Sequence, residues 1–182
     1  MMIEEAVVIG LVVERRRIEN AWSEFNGTPY AWRPVAVFPV APDVAPWTPL
    51  GGNAKASRFY AGAQSIRLFS TDTANYRGNL ESGEALLWVA LRETGSEPPI
   101  EVAAVTADPA EGEALTEAGT DTVETIAMPA EVAAEIAAFI VANHVERPII
   151  KRKRDRAEPD VSWRPGEGPD RKPGPGGEEG GS

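Results

Sequence analysis

The residue types best equipped for chemistry stand together in Tyr76-Arg77-Gly78-Asn79-Leu80-Glu81-Ser82, an aromatic ring, a guanidinium, an amide and a hydroxyl within seven positions. A guanidinium is a planar fork suited to carboxylate or phosphate, and an amide can hydrogen-bond the edge of a heterocycle. Joined by Arg33, Arg58 and Tyr60, the residues Tyr76, Arg77 and Asn79 would line a pocket for an anionic, partly aromatic ligand. A second reading is structural: Arg77 and Asn79 bond backbone carbonyls in a loop while Tyr76 packs on a sheet. Spacing alone leaves both open.

The other concentration of function-bearing side chains is Lys151-Arg152-Lys153-Arg154-Asp155-Arg156, five cations in six residues on a chain of formal net charge -10. Nine Lys/Arg stand against twenty Asp/Glu up to Val145, and nine against eight from Glu146 onward. Positive charge focused on one segment of an acidic chain marks a docking element. An acidic protein surface is the expected partner of Lys151, Arg152, Lys153, Arg154 and Arg156. Nucleic acid is not expected, because the acidic body repels it and no aromatic stacking platform adjoins the cations. Anionic lipid is a further reading, with Trp163 close enough to assist, and a solvated linker is the plainest one.

Other chemistries find little support. The chain has no cysteine, which excludes disulfides, thiolate zinc sites, iron–sulfur clusters and persulfide carriers. Its single histidine, His144, falls at the end of a helical pattern and reads as a solvated terminal residue. There is no phosphate-cradling glycine motif. Gly51-Gly52 before Lys55 and Arg58 could turn backbone amides toward an anion, or could simply be a flexible loop. The carboxylates Glu81, Glu84, Glu93 and Glu97 show no spacing that would set two of them across a cleft in unlike environments.

The elements that must position these residues follow from periodicity. Residues 7–13 are a nearly continuous β-branched apolar run, expected to be a strand buried on both faces, with Arg15-Arg16-Arg17 at its exit. A loop carrying Trp22, Phe25 and Tyr30 leads to a proline-bearing edge strand over 32–39. A long Pro/Gly loop with Trp47 then precedes an alternating strand over 58–69 and further strands over 86–92 and 100–106. Asp108-Pro109-Ala110-Glu111 starts a helix as a capping box and Gly119 stops it. A short strand over 122–127 and a helix from Pro129 to Pro148 follow, with Val132, Ile136, Phe139, Ile140 and Asn143 on one face.

The expected fold is α+β, a mainly antiparallel meander followed by an α-β-α C-terminal part. Three regions result: a domain over 1–148, a basic docking segment over 149–164 and a Gly/Pro-rich tail over 165–182. The tail has no aliphatic or aromatic side chain and is expected to stay disordered. The apolar run near the N-terminus follows Glu4-Glu5 and is too short to span a bilayer, so a cytoplasmic protein is expected.

Four stretches carry a family resemblance. They are Gly10-Leu11-Val12-Val13-Glu14-Arg15-Arg16, then Ala31-Trp32-Arg33-Pro34-Val35-Ala36-Val37, then Tyr76-Arg77-Gly78-Asn79-Leu80-Glu81-Ser82, then the run from His144 through Lys151 to Asp155. Together, over about residues 8–156, the chain resembles domain of unknown function 3305. Members of that family are often labelled molybdopterin-guanine dinucleotide biosynthesis protein A. They tend to be encoded beside molybdenum-dependent formate dehydrogenases and another small protein. The guanylyltransferase itself follows its first strand with a Leu-Ala-Gly-Gly loop, where this chain has Glu14-Arg15-Arg16-Arg17. The resemblance therefore implies the neighbourhood and not the labelled activity. That neighbourhood is maturation of a formate dehydrogenase, and a non-enzymatic accessory protein acting there by docking is the expectation. The partner would be one of that enzyme's subunits or the co-encoded maturation factor. No cofactor of its own is expected. The alternative is a binding protein or degenerate transferase that holds molybdopterin, or molybdopterin-guanine dinucleotide transiently, through Arg33, Arg58, Tyr60, Tyr76, Arg77 and Asn79, and peripheral membrane contact is a lesser option.

Overall fold

The first apolar run becomes the strand on which the rest is built. In the computed structural model, which describes residues 2–19 and 30–144, this strand is β1, Glu4–Arg17. Its odd-numbered residues Val7, Ile9, Leu11 and Val13 enter the main core. The opposite face is also covered midway: Gly10 and Val12 lie beside Tyr60, whose hydroxyl donates to the Pro42 carbonyl at 3.3 Å. A Cβ on Gly10 would stand 2.9 Å from Pro42 Cδ and 3.0 Å from Tyr60, so the covering loop can close only over glycine. Both-face burial, expected from the unbroken apolar run, holds from Ile9 onward, while Val8 is exposed.

Three more strands complete the first sheet: β2 (Tyr30–Phe38), β3 (Thr48–Gly52) and β4 (Ala56–Phe69), in the order β2-β1-β4-β3. All pairings are antiparallel. β3 falls inside the segment read as a Pro/Gly loop. Its sequence Thr-Pro-Leu-Gly-Gly has poor strand propensity, and its ladder with β4 makes it a strand. The second sheet is β6-β5-β7, from β5 (Leu86–Glu93), β6 (Ile100–Thr106) and β7 (Thr122–Ala127). The antiparallel strands thus divide between two sheets, and β1 pairs with β4 across the intervening β2 and β3.

Three helices complete the α+β fold: α1 (Thr73–Glu81), α2 (Pro109–Ala118) and α3 (Ala130–Asn143). α2 starts as its sequence requires, with the Asp108 carboxylate accepting from Ala110 N–H at 2.8 Å and Gly119 left-handed at the C-terminus. The reciprocal half of the capping box is relayed instead. Thr106 Oγ1 accepts from Asp108 N–H at 3.1 Å and donates to Glu111 at 2.6 Å. α2 sits on the second sheet through Gly112, where any Cβ would collide with the Trp88 indole. α3 buries Val132, Ile136, Phe139 and Ile140, the apolar face read from the sequence, in the core shared by both sheets. The expectation that α3 continues to Pro148 lies outside the described residues. So do Trp22 and Phe25, the basic segment of 149–164 and the tail of 165–182.

Candidate functional site

At the Arg17 end of β1 the register brings together residues far apart in sequence. Glu14 lies opposite Arg33 on β2 and opposite Arg58 on β4. Arg16, two residues on, projects from the same face. The Glu14 side chain is only 5% exposed, yet it holds three guanidiniums. Its Oε1 accepts from Arg33 Nη2 at 3.2 Å and from Arg16 Nη2 at 3.3 Å, and its Oε2 accepts from Arg58 Nε at 3.3 Å. The arginine side chains themselves stay 46–61% exposed. Burial pushes the Glu14 carboxyl up, but the hydrogen bonds from Arg58 and Arg33, with the charges of Arg33 and Arg16, outweigh it and hold the pKa below its ordinary value.

The other face of the same strand end is aromatic. Arg15 lies over the Tyr30 ring at 4.7 Å and near Phe59 and Trp32 at 5.5 and 5.9 Å. Trp32 packs edge-on against Trp47 at 6.1 Å. Arg17 N–H donates to the Lys55 carbonyl at 2.8 Å, placing Lys55 at this end too. Of the nine Lys/Arg up to Val145, six (Arg15, Arg16, Arg17, Arg33, Lys55 and Arg58) therefore gather here. Against them stand Glu14 and Glu19, the latter 3.7 Å from Lys55, so that among the described residues this end of an acidic body carries a positive surplus.

The chain matches the family described as "Protein of unknown function (DUF3305)" over residues 8–154. It belongs to that family. No curated protein and no solved structure matches it. The stretch shared with the DUF3305 family takes in Glu14, all three of its arginines, and the cations Lys151 to Arg154.

Within this DUF3305 member the six pocket residues named from the sequence part company. Arg33 and Arg58 meet on Glu14. Tyr60 lies on the same face, one row inward opposite Val12, but is 1% exposed beneath the Pro42 loop, and burial raises its phenol pKa. Tyr76 and Asn79 are on α1 and buried. The Tyr76 hydroxyl accepts from Phe69 N–H at 3.1 Å and its ring packs near Phe139. Its pKa is pushed up to about 12 by burial, opposed by the Phe69 bond and aided by the charges of Asp72, Asp108 and Glu111. Asn79 donates to the Leu86 and Ala107 carbonyls, both at 2.8 Å, and accepts from Leu86 N–H at 3.0 Å. Those bonds pin α1 to the start of β5 and the end of β6. Arg77 is half-exposed on the same helix.

The two groups stand at opposite ends of β1. Phe69, bonded to Tyr76, pairs with Glu4, whereas Arg58 pairs with Glu14. Ten residues of strand at about 3.3 Å each separate the two pairs by about 33 Å. One small ligand cannot touch both. The segment over 76–82, read as a loop, is mostly helix α1, and Arg15-Arg16-Arg17, read as the strand exit, still belong to β1. Glu14 and Arg16 were missed as site residues. Period-two alternation from Val12 through Glu14 to Arg16 was the available signal, had the strand been extended past Val13. His144 ends α3 as expected, but its Nδ1 is 2.9 Å from Thr73 Oγ1 and the residue is half-buried. Among the described residues no group of three or more His, Asp or Glu is placed to hold a metal ion, and no helix is long and apolar enough to cross a membrane.

Proposed function

We propose that the protein is a non-enzymatic accessory factor that acts by docking on an acidic protein surface. The gathering of six of nine body cations at one end of an acidic domain carries this reading. Guanidiniums held in place by Glu14 lose less side-chain entropy on pairing with a partner's carboxylates, and a focused positive field speeds encounter. The Lys151–Arg156 segment would add a second cationic element. The family's genomic company directs the proposal to maturation of a molybdenum-dependent formate dehydrogenase, with one of its subunits or a co-encoded maturation factor as partner. A second reading, transient binding of molybdopterin-guanine dinucleotide, is favoured by one observation: Arg33 and Arg58 do converge.

The test is capture of partners from the native host at low and high salt, using the full chain. Salt-sensitive recovery of a formate dehydrogenase subunit is the expected result. Its loss with Arg33→Glu/Arg58→Glu, in a variant whose thermal unfolding remains cooperative, would assign the dock to the sheet end. Undiminished recovery at high salt, or in the reversal variant, would sink that assignment.

A further inference from the structure

We infer that Arg16, Arg33 and Arg58, organised by Glu14, form a binding site for the phosphoryl group of a phosphorylated ligand. The inference stands apart from the docking partner, which the same end of the sheet could engage without any phosphate being recognised.

Three guanidiniums and one carboxylate leave a surplus of two positive charges. Among the described residues, Glu14 is the only carboxylate in salt-bridge contact with any of the three. A phosphate monoester carries about -1.5 to -2 at neutral pH, so it neutralises this surplus where a single carboxylate does not.

Donor supply agrees with that. Each guanidinium has about five N–H donors, and the hydrogen bonds to Glu14 take one from each arginine. The remaining donors belong to side chains about half exposed, converging from three directions on one side of the sheet. A tetrahedral oxyanion can accept from more than one fork at once.

Access is open. The residues opposite Arg16 on the two neighbouring strands are Ala31 and Ala56, and directly paired residues share a face. Two methyl groups therefore flank Arg16, where larger side chains would crowd the anion. Among the described residues the rings at this end of the sheet lie with Arg15 on the opposite face, apart from Tyr60, which is buried beneath the Pro42 loop. The phosphoryl group is what this site is built to read, and among the described residues no exposed ring lies beside it for a heterocycle to stack on.

Glu14 has a definite part in this arrangement. A carboxylate among phosphate-binding arginines costs attraction, but this one is buried and fixes three long side chains before any ligand arrives. Pre-organisation lowers the entropy lost on binding. Glu14 is thus a positioning residue, and Arg16, Arg33 and Arg58 are the contacts.

The experiment is a calorimetric titration of the full chain with inorganic pyrophosphate and with inorganic phosphate, at fixed ionic strength, with sodium acetate as the carboxylate arm. Saturable one-site binding of pyrophosphate or phosphate is expected, with acetate showing none. Arg33→Lys/Arg58→Lys keeps the charge and removes the forks, and should weaken binding by about tenfold or more. Arg77→Ala, on α1, should bind as the parent does. Absence of saturable binding overturns the inference, as does equal affinity for acetate. Binding that persists in a folded Arg33→Ala/Arg58→Ala variant overturns it too, since the anion would then sit elsewhere, for instance on the Lys151–Arg156 segment. Loss of phosphate binding with partner capture intact would leave the docking proposal standing.

Discussion

Asn79 is the most informative residue to change, because its hydrogen bonds identify it as a pin of the fold and not as a ligand contact. Replacement by Ala deletes the bonds to Leu86 N–H, to the Leu86 carbonyl and to the Ala107 carbonyl. At about 1 kcal/mol net for each neutral hydrogen bond, the loss comes to about 3 kcal/mol. For a domain of this size that lowers Tm by about 10 °C. Asn79→Asp is nearly isosteric and makes a sharper test. The atom that donates to two carbonyls becomes a carboxylate oxygen, which when ionised faces both of them as an acceptor. The carboxyl at position 79 must then have a folded-state pKa above its unfolded value of about 3.9. A raised value places the stability contribution below the unfolded pKa and removes it as pH rises toward the folded one. The gap between the parent and Asn79→Asp should accordingly widen from pH 4 to pH 7. Thermal unfolding followed by circular dichroism gives the Tm, and urea unfolding at pH 4 and pH 7 gives the Asn79→Asp gap. A Tm for Asn79→Ala within about 2 °C of the parent, against the shift of about 10 °C worked from three bonds, would refute the reasoning. So would a gap for Asn79→Asp that does not change with pH.

Glu14→Gln should destabilise the protein at pH 7 by about 1–2 kcal/mol, kept small because the three arginines are half exposed and can turn to water. Because the folded Glu14 pKa lies below the ordinary 4.5, its contribution is present above that value and lost as pH falls through the folded one. The difference between parent and Glu14→Gln should therefore shrink in acid, and chemical denaturation at pH 7 and pH 3 would reveal a constant difference if the pairing were idle. Gly112→Ala drives a methyl group into the Trp88 indole and should cost about 2 kcal/mol despite the better helix propensity of Ala. An unchanged or raised Tm would show that α2 can lift from the sheet without penalty.

Local rules carried far along this chain. The β-branched run of β1, the Asp108-Pro109 start and Gly119 stop of α2, and the four-residue apolar face of α3 are set by neighbours a few positions apart. Such signals survive without any knowledge of the fold, and so does the segregation of charge along the sequence. α1 escaped because Thr-Ala-Asn-Tyr-Arg-Gly-Asn-Leu-Glu has little apolar periodicity. Its helix is secured by Tyr76 and Asn79 reaching groups on other elements, which no local pattern announces.

The candidate site shows the same division more sharply. Arg33 and Arg58 could be named as anion contacts from their chemistry, but their company could not. Glu14 meets Arg33 across 19 residues and Arg58 across 44, through pairings fixed by strand order and by irregularities at Val12/Val13 on one side and Leu11/Val12 on the other. A slip of one residue in either ladder would turn an arginine to the opposite face, because side chains alternate along a strand. Residue identity thus determines which groups can hold an anion. Which of them share a face, and with which buried carboxylate, is decided only when burying the odd-numbered side of β1 sets the register.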